Sequence, residues 1–282
     1  MGSRARRTTG RAVVYLILAL YVVLTLLPLY WIFTTTFKNP GEMQMYPPSL
    51  IPRSFTLRNL VEIFRGSEVF GVRPFLNSTI IALGSVALAA SLSFLAGYGF
   101  SRYSFPGHEI LLLAMLFINL LPRLATIIPI FRLFSLYRLY DTYLGLIILH
   151  GITAAPFTSW LMKGYIDTIP VELEESALMD GCSANQAMSR IILPLSAPGL
   201  AAVAVLAFRE AWNDFTGALI LTTSAAIRPY TVSLYRFVGE QGQVEWNLIS
   251  AASFVSIVPV VVSFALFQRY FVTGLTGGAL KS

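Results

Sequence analysis

Long apolar stretches separated by shorter polar segments dominate the chain. A helix crosses the hydrocarbon core of a bilayer with about 20 mostly apolar residues. Six stretches meet this requirement, at residues 12–33, 76–101, 109–133, 141–163, 198–222 and 248–272. They lack the alternation of apolar and polar residues that is typical of membrane β-strands. The pattern therefore predicts an all-α integral membrane protein with six transmembrane helices in a single domain over residues 1–282.

The composition agrees with a membrane protein. Of the 282 residues, 56% are hydrophobic and 12% are charged, and the mean hydropathy is +0.69. A soluble domain carries about 25% charged residues, and a fold of this size cannot hide so much apolar surface from water. The net charge of +6 is spread along the chain and forms no basic face of the kind that nucleic-acid binding needs. The expected surroundings are the lipid bilayer, and no nucleic-acid partner is expected.

Enzyme chemistry and metal binding find little support in the sequence. One cysteine and two histidines offer no recognisable metal-ligand spacing, so no metal and no cofactor are expected on this chain. None of the three lysines follows a glycine as the lysine of a P-loop does, so the chain carries no ATPase site of its own. Serine-hydrolase and metalloprotease motifs are absent as well. We therefore expect no catalytic residues and regard an intramembrane enzyme as an unsupported alternative.

The basic N-terminus predicts the orientation in the membrane. Four arginines lie within the first eleven residues, and such a cluster favours the cytoplasmic side. Because six helices return the chain to its starting side, both termini are predicted in the cytoplasm. The connection at residues 34–75 then lies outside, and its five prolines predict irregular structure with short helices. The connection at residues 164–197 lies inside.

This inner loop, residues 164–197, predicts two short helices joined by a turn. The first begins near Pro170, and three glutamates follow in its first turns, where the helix dipole favours negative charge. Gly181 provides a left-handed end. Ser183 then begins a second helix, with Gln186 three residues later in a capping-box pattern.

The same loop resembles the EAA loop of ABC-importer permeases. The resemblance lies in Glu175-Ser176-Ala177, then Gly181 after three residues, then Ile191-Ile192-Leu193-Pro194 after nine more. It implies a coupling helix that docks in a groove of a separate ATPase subunit. The residues implied in this contact are Glu174, Glu175, Ala177, Leu178, Met179, Asp180 and Gly181. The alternative is a cytoplasmic helical hairpin that only caps the helix bundle.

Other segments resemble a narrower family, the maltose-type permeases for carbohydrates. They are Pro122 with residues 128–131, then residues 141–146, residues 212–215 and residues 268–281. The resemblance implies the smaller, six-helix member of a permease pair in a bacterial or archaeal inner membrane. It further implies a second permease, two ATPase subunits that hold ATP and magnesium, an extracytoplasmic solute-binding protein, and a sugar or sugar-like solute.

Polar residues within the apolar stretches are candidates for a translocation path, because ionisable groups in hydrocarbon are costly and tend to be functional. The candidates are Arg123, Arg209, Glu210, Trp212, Asn213 and Asp214. Glu210 and Asp214 share one helix face, and Arg123 lies at similar depth on another helix and is expected to pair with one of them. The cluster either lines the path, with Trp212 stacking on a sugar ring, or forms a structural ion-pair network.

Two mechanisms of transport fit a polytopic membrane protein. In the first, closure of two ATPase subunits is transmitted through the loop at residues 171–194 and switches the permease between outward- and inward-facing states. In the second, the chain is a stand-alone ion-coupled secondary transporter. That mechanism predicts inverted repeats and interrupted helices around a midplane site, and the sequence shows neither. The sequence favours the ATP-driven importer.

Overall fold

The computed structural model describes residues 2–65, 71–240 and 245–279, and every regular element in these segments is helical. The helices are α1 (Gly2–Thr36), α2 (Arg58–Arg65), α3 (Val72–Arg102), α4 (His108–Ile118), α5 (Arg123–Leu136), α6 (Tyr143–Ile166), α7 (Glu172–Met179), α8 (Ala184–Ala187), α9 (Leu193–Leu195), α10 (Ala197–Asn213), α11 (Thr216–Leu221), α12 (Tyr230–Glu240) and α13 (Trp246–Ala279). A short 3₁₀ helix covers Pro40–Gln44, and a π-helical turn covers Met188–Ile192.

Several of these helices are suited to a bilayer. Within the described residues, four are long and apolar enough to cross it, at Val13–Thr36, Val72–Arg102, Tyr143–Ile166 and Trp246–Gln268. Two bent pairs also qualify when each pair is taken as one span, α4 with α5 and the helical stretch Ala184–Leu195 with α10. The chain is therefore a multi-pass membrane protein with four to six apolar spans.

The expected continuous helix at 109–133 is broken. α4 ends at Ile118, α5 begins at Arg123, and their axes differ by 96°. Pro122 precedes α5 and explains the break, because proline has no amide hydrogen and its ring disfavours the helical conformation of the residue before it. The apolar composition continues across the break, so hydropathy alone predicts one helix.

The expected helix at 198–222 is also interrupted. α10 ends at Asn213, and Asp214 adopts an extended conformation before α11 starts. The Asp214 carboxylate accepts hydrogen bonds from the amides of Ala218 at 2.9 Å and Gly217 at 3.4 Å. These bonds cap α11, which is the behaviour that makes aspartate favourable at helix starts. The aspartate that was expected inside a helix therefore begins a new one.

The described chain divides into two compact units. Met1–Gly71 and Arg236–Ile257 form the first, and Val72–Tyr235 and Val258–Ser282 form the second. In the first unit, the apolar side chains of α1 from Val13 to Leu29 are exposed, as expected for a helix that faces lipid or another subunit.

The connection that follows α1 is irregular with two short helices, as the prolines predicted. Buried polar groups hold it together. The ammonium group of Lys38 donates to the Ser49 carbonyl at 2.5 Å. The Glu42 carboxylate accepts from the amides of Arg53 at 2.9 Å and Ser54 at 3.1 Å. These backbone hydrogen bonds lower the pKa of Glu42, so the carboxylate stays charged and the loop keeps its shape at neutral pH.

The core of the second unit is formed by α3, α6 and α10. Its inner-loop end is filled by Phe94, Tyr98, Met162, Ile166, Ile169, Ile192 and Val203. Gly97 permits the close approach of α3 and α6, because a β-carbon there would lie 2.9 Å from both the Lys163 amide nitrogen and the Met162 β-carbon. Small residues serve the same purpose at other membrane helix contacts.

Candidate functional site: the inner loop and the membrane polar cluster

The first helix of the inner loop, α7, has two distinct faces. Glu174 and Ala177 are buried, three residues apart on one side. Met179 lies on the opposite side at the end of the helix and is 88% exposed, and Leu178, four residues after Glu174 at the edge of the buried side, is 48% exposed. A short helix that exposes such side chains is suited to contact with an apolar groove on another protein.

The turn after α7 follows the sequence expectation. Gly181 has φ of +88°, the left-handed conformation that glycine adopts without strain. Ser183 accepts a hydrogen bond from the Gln186 amide at 3.4 Å, and the Gln186 side chain accepts one from the Ser183 amide at 2.8 Å. This capping box begins α8. The turn after α7 therefore leads directly into a second helical stretch, whose start is capped.

Glu174 points into the protein. It is 7% exposed, and its carboxylate accepts a hydrogen bond from the Tyr98 hydroxyl at 2.7 Å and forms an ion pair with Arg102. Both partners belong to α3. Of the seven residues expected at an ATPase contact, Glu174 and Ala177 thus lie on the inner side of α7, while Glu175, Leu178, Met179, Asp180 and Gly181 are exposed.

Sequence reasoning missed Tyr98 and Arg102 as partners of the loop. Arg102 is the last residue of α3, and an arginine at the end of a membrane helix ordinarily extends toward water. Here the side chain is instead buried, and a second nitrogen donates to the Ile169 carbonyl at 3.0 Å. No sequence signal separates this arrangement from the ordinary one.

The membrane polar cluster contains the ion pair that was expected between the broken third and fifth spans. Arg123, at the start of α5, pairs with Glu210, one turn before the end of α10. In the same cluster, His150 of α6 lies 3.8 Å from the Asp214 carboxylate. Three segments that carry polar groups in apolar surroundings are thus joined by side-chain contacts.

These side chains line a cavity of about 80 Å³ together with Thr126, Thr153 and Thr216. Pockets for small organic ligands usually measure about 300–1,000 Å³, so this cavity is too small for a sugar in the conformation described. The arrangement favours the structural role of Arg123 and Glu210.

The remaining path candidates lie elsewhere on α10 and fall into two groups. Trp212 is 2% exposed and packs between Phe75 and Phe208 at ring-centre distances of 5.4 and 5.5 Å. Its faces are thus occupied by protein in this conformation. Arg209 and Asn213 are exposed, and the Asn213 side chain donates to the Arg209 carbonyl at 2.9 Å.

Polar contacts from Asp141 and Asn77, also missed by sequence reasoning, hold the segment between α11 and α12. The Asp141 carboxylate accepts from the amides of Thr223 at 2.8 Å and Ser224 at 3.0 Å. Burial raises the pKa of Asp141, but these hydrogen bonds outweigh it, so the pKa is lowered overall. Asn77 of α3 donates to the Arg228 carbonyl at 3.0 Å. The segment is thereby fastened to α3 and to the start of α6.

Metal binding has no support in the structure. Within residues 2–65, 71–240 and 245–279, no three His, Cys, Asp or Glu side chains are grouped so that they could hold a metal ion. The polar groups around Glu174, around Asp141 and in the membrane cluster form hydrogen bonds and ion pairs with one another and with the backbone. They position helices within a polytopic, all-helical membrane protein.

The chain belongs to the family described as the binding-protein-dependent transport system inner membrane component, whose family model matches residues 1–277. It is therefore a membrane transport component and not an enzyme. This membership favours the ATP-driven importer over the stand-alone ion-coupled transporter.

Similar proteins cover nearly the whole chain. The inner membrane ABC transporter permease protein YcjP of Escherichia coli K12 is 34% identical over 276 residues, covering 98% of both chains. The trehalose transport system permease protein SugB of Mycobacterium tuberculosis is 36% identical over 278 residues, covering 98% of this chain and 99% of its own. The trehalose/maltose transport system permease protein MalG of Thermococcus litoralis is 32% identical over 262 residues, covering 93% and 94%.

A solved structure has the same fold. It is a chain of a bacterial ABC transporter involved in the import of the acidic polysaccharide alginate, with a TM-score of 0.83 and 21% sequence identity. The match covers 96% of this chain and 99% of that one.

Proposed function

We propose that this chain is one of two permeases in an ABC importer for a sugar or sugar-like solute, and that the exposed face of α7 docks on an ATPase subunit. The observation that carries the proposal is the two-sided α7, which is fixed to α3 through Glu174 on one side and exposes Met179 on the other, with Leu178 partly exposed at the edge.

The solute class is inferred from the relatives. Two of them are named for trehalose or for trehalose and maltose, and each covers more than nine tenths of this chain. Arg123, Arg209 and Asn213 are the exposed path candidates, and Arg123 is held by its ion pair with Glu210. We assign Arg209 and Asn213 to the solute path or its rim, and Arg123, Glu210, Trp212 and Asp214 to the support of that path.

The proposed assembly has one extracytoplasmic solute-binding protein, a second permease and two ATPase subunits that bind ATP with magnesium. The exposed apolar surface of α1, from Val13 to Leu29, suits contact with the second permease or with lipid. We place six spans in an inner membrane, with both termini and the loop at 164–197 in the cytoplasm and the connection at 34–75 outside. Side-chain contacts support the alternation of sides, because Arg102 meets Glu174 while Asn77 meets Arg228 at the other end of α3.

Affinity isolation of this chain from its native membrane tests the proposal. A tag on the chain should recover a second multispanning protein and a P-loop ATPase, and ATP hydrolysis by the recovered complex should rise when the solute-binding protein is added. Recovery of this chain without any ATPase, under gentle extraction that keeps other membrane complexes intact, would contradict the proposal.

Gly181 provides a graded test of the turn that orients α7. Its φ is +88°, and a β-carbon added there would meet no atom within 4 Å, so a substitution acts through backbone strain. That strain is about 1–2 kcal/mol for most residues and smaller for asparagine. We expect Gly181→Val to reduce solute uptake about fivefold or more, and Gly181→Asn to keep most of it. Uptake assays at matched chain levels measure this, and equal uptake by both variants and the parent would be contrary to the assignment.

A further inference from the structure

The contact between α3 and α7 is a buried network of charged and polar groups. Glu174 accepts from the Tyr98 hydroxyl at 2.7 Å and pairs with Arg102. Arg102 also donates to the Ile169 carbonyl and the Ser101 hydroxyl, each at 3.0 Å. The arginine thereby fixes the start of the loop and α7 at the same time.

The network continues to the end of α6. Ser101 donates to the Asp167 carboxylate at 2.7 Å, and Lys163 donates to the other oxygen of the same group at 2.7 Å. Glu174, Arg102, Asp167 and Lys163 therefore each have a partner of opposite charge or a hydrogen-bond partner in this conformation.

Because the Glu174–Arg102 pair is buried, it adds little to the stability of the protein, but it fixes the orientation of α7 relative to α3. Bringing a carboxylate and a guanidinium out of water costs about as much as their attraction returns. The planar guanidinium nevertheless fixes direction, because its donors form a rigid fork. An apolar pair would hold α7 to α3 at lower cost but would permit sliding, so the polar pair fits a contact that must transmit motion.

The opposite end of α3 is fastened in a similar way. Asn77 donates to the carbonyls of Ala226 at 3.1 Å and Arg228 at 3.0 Å, and the Ser78 hydroxyl accepts from the Tyr230 amide at 2.8 Å. α3 has 31 residues, which corresponds to about 46 Å at 1.5 Å per residue. One continuous helix therefore joins the inner loop to the segment between α11 and α12.

We infer that Glu174, Arg102 and Tyr98 are positioning residues that make α3 move with α7. The inference rests on the proposed function, in which α7 meets the ATPase. Displacement of α7 by ATPase closure then moves α3, and α3 carries the displacement to the segment held by Asn77 and Ser78. Glu174 serves this link from inside the protein and does not touch the ATPase.

The test uses the complete complex of both permeases and the ATPase, purified with this chain tagged and reconstituted with the solute-binding protein. The variants are Glu174→Gln, Tyr98→Phe and the charge exchange Glu174→Arg with Arg102→Glu. The matched control is Glu62→Gln, which removes one partner of the exposed Arg58–Glu62 pair at 3.4 Å. Three quantities are measured for each: ATPase recovered with the chain, stimulation of ATP hydrolysis by the solute-binding protein, and solute moved per ATP.

We expect Glu174→Gln to recover the ATPase within twofold of the parent but to lower stimulation and solute moved per ATP about tenfold. Tyr98→Phe should give a smaller loss of the same kind, and the charge exchange should regain more coupling than Glu174→Gln. Parent-like coupling in Glu174→Gln would overturn the inference. Loss of the ATPase from both Glu174→Gln and Tyr98→Phe would also overturn it, since the network would then only fold the loop. Absence of an ATPase from the parent complex would instead contradict the proposed function.

Discussion

Met179→Glu should abolish recovery of the ATPase with this chain and lower solute uptake at least tenfold. Met179 is 88% exposed at the end of α7 and makes little contact within its own chain, so the substitution leaves the fold intact. Burying a methionine in a groove contributes about 1.5–3 kcal/mol, and an unpaired carboxylate in the same place costs more. Since about 1.4 kcal/mol is a tenfold change in affinity, a loss of about 100-fold in ATPase binding is expected.

Two controls separate docking from folding. Met179→Leu keeps an apolar side chain of similar size and should retain most of the uptake. Tyr137→Glu places the same charge at an exposed apolar position, with 67% exposure, just after α5 on the side proposed to face outward. It should leave ATPase recovery unchanged. Normal recovery of the ATPase with Met179→Glu would show that the exposed face of α7 is not the docking surface.

Gly97→Val should lower the stability of the chain more than any other single substitution proposed above. A β-carbon at Gly97 would lie 2.9 Å from the backbone nitrogen of Lys163 and the β-carbon of Met162. The backbone cannot yield as a flexible side chain can, so α3 and α6 must separate. Forcing extra atoms into a packed core costs about 1–3 kcal/mol, and a branched side chain between two helix backbones belongs at the upper end of that range.

Gly99→Val is the matched control for this substitution. Gly99 lies two residues later in α3, and a β-carbon there would meet no atom within 4 Å. Both variants change the same residue type in the same helix, so they share any change in helix propensity. Thermal unfolding in detergent, followed by loss of the monodisperse chain, should show a clear decrease in midpoint for Gly97→Val only. Equal midpoints would mean that the contact between α3 and α6 is not as close as described.

The sequence predicted the local structure of the inner loop well, because that structure depends on neighbouring residues. The left-handed turn at Gly181 and the capping box of Ser183 with Gln186 need only a few residues in a fixed order. A pairing of Arg123 with Glu210 or Asp214 was also predicted, since these residues lie at similar depth on spans that run in the same direction, and the structure has the pair with Glu210. The membrane class followed from the apolar stretches alone.

Other features depend on contacts between segments distant in sequence. Three glutamates lie close together in α7, and only packing against α3 decides that Glu174 is the one that points inward. The breaks at Pro122 and Asp214 occur within continuous apolar composition, so a count of apolar residues cannot detect them. Trp212 was a path candidate because its ring could stack on a sugar, and only packing between distant segments shows that Phe75 and Phe208 contact that ring here.

Uptake into sealed vesicles tests the importer mechanism most directly. The complex isolated through this chain is reconstituted with its solute-binding protein, and the vesicles are offered labelled trehalose and maltose, the solutes for which two relatives are named. We expect uptake when ATP is supplied on the side of the inner loop, and none in ATP-free vesicles with an imposed proton or sodium gradient. Uptake by this chain alone, without ATP and in response to the ion gradient, would contradict the ATP-driven importer.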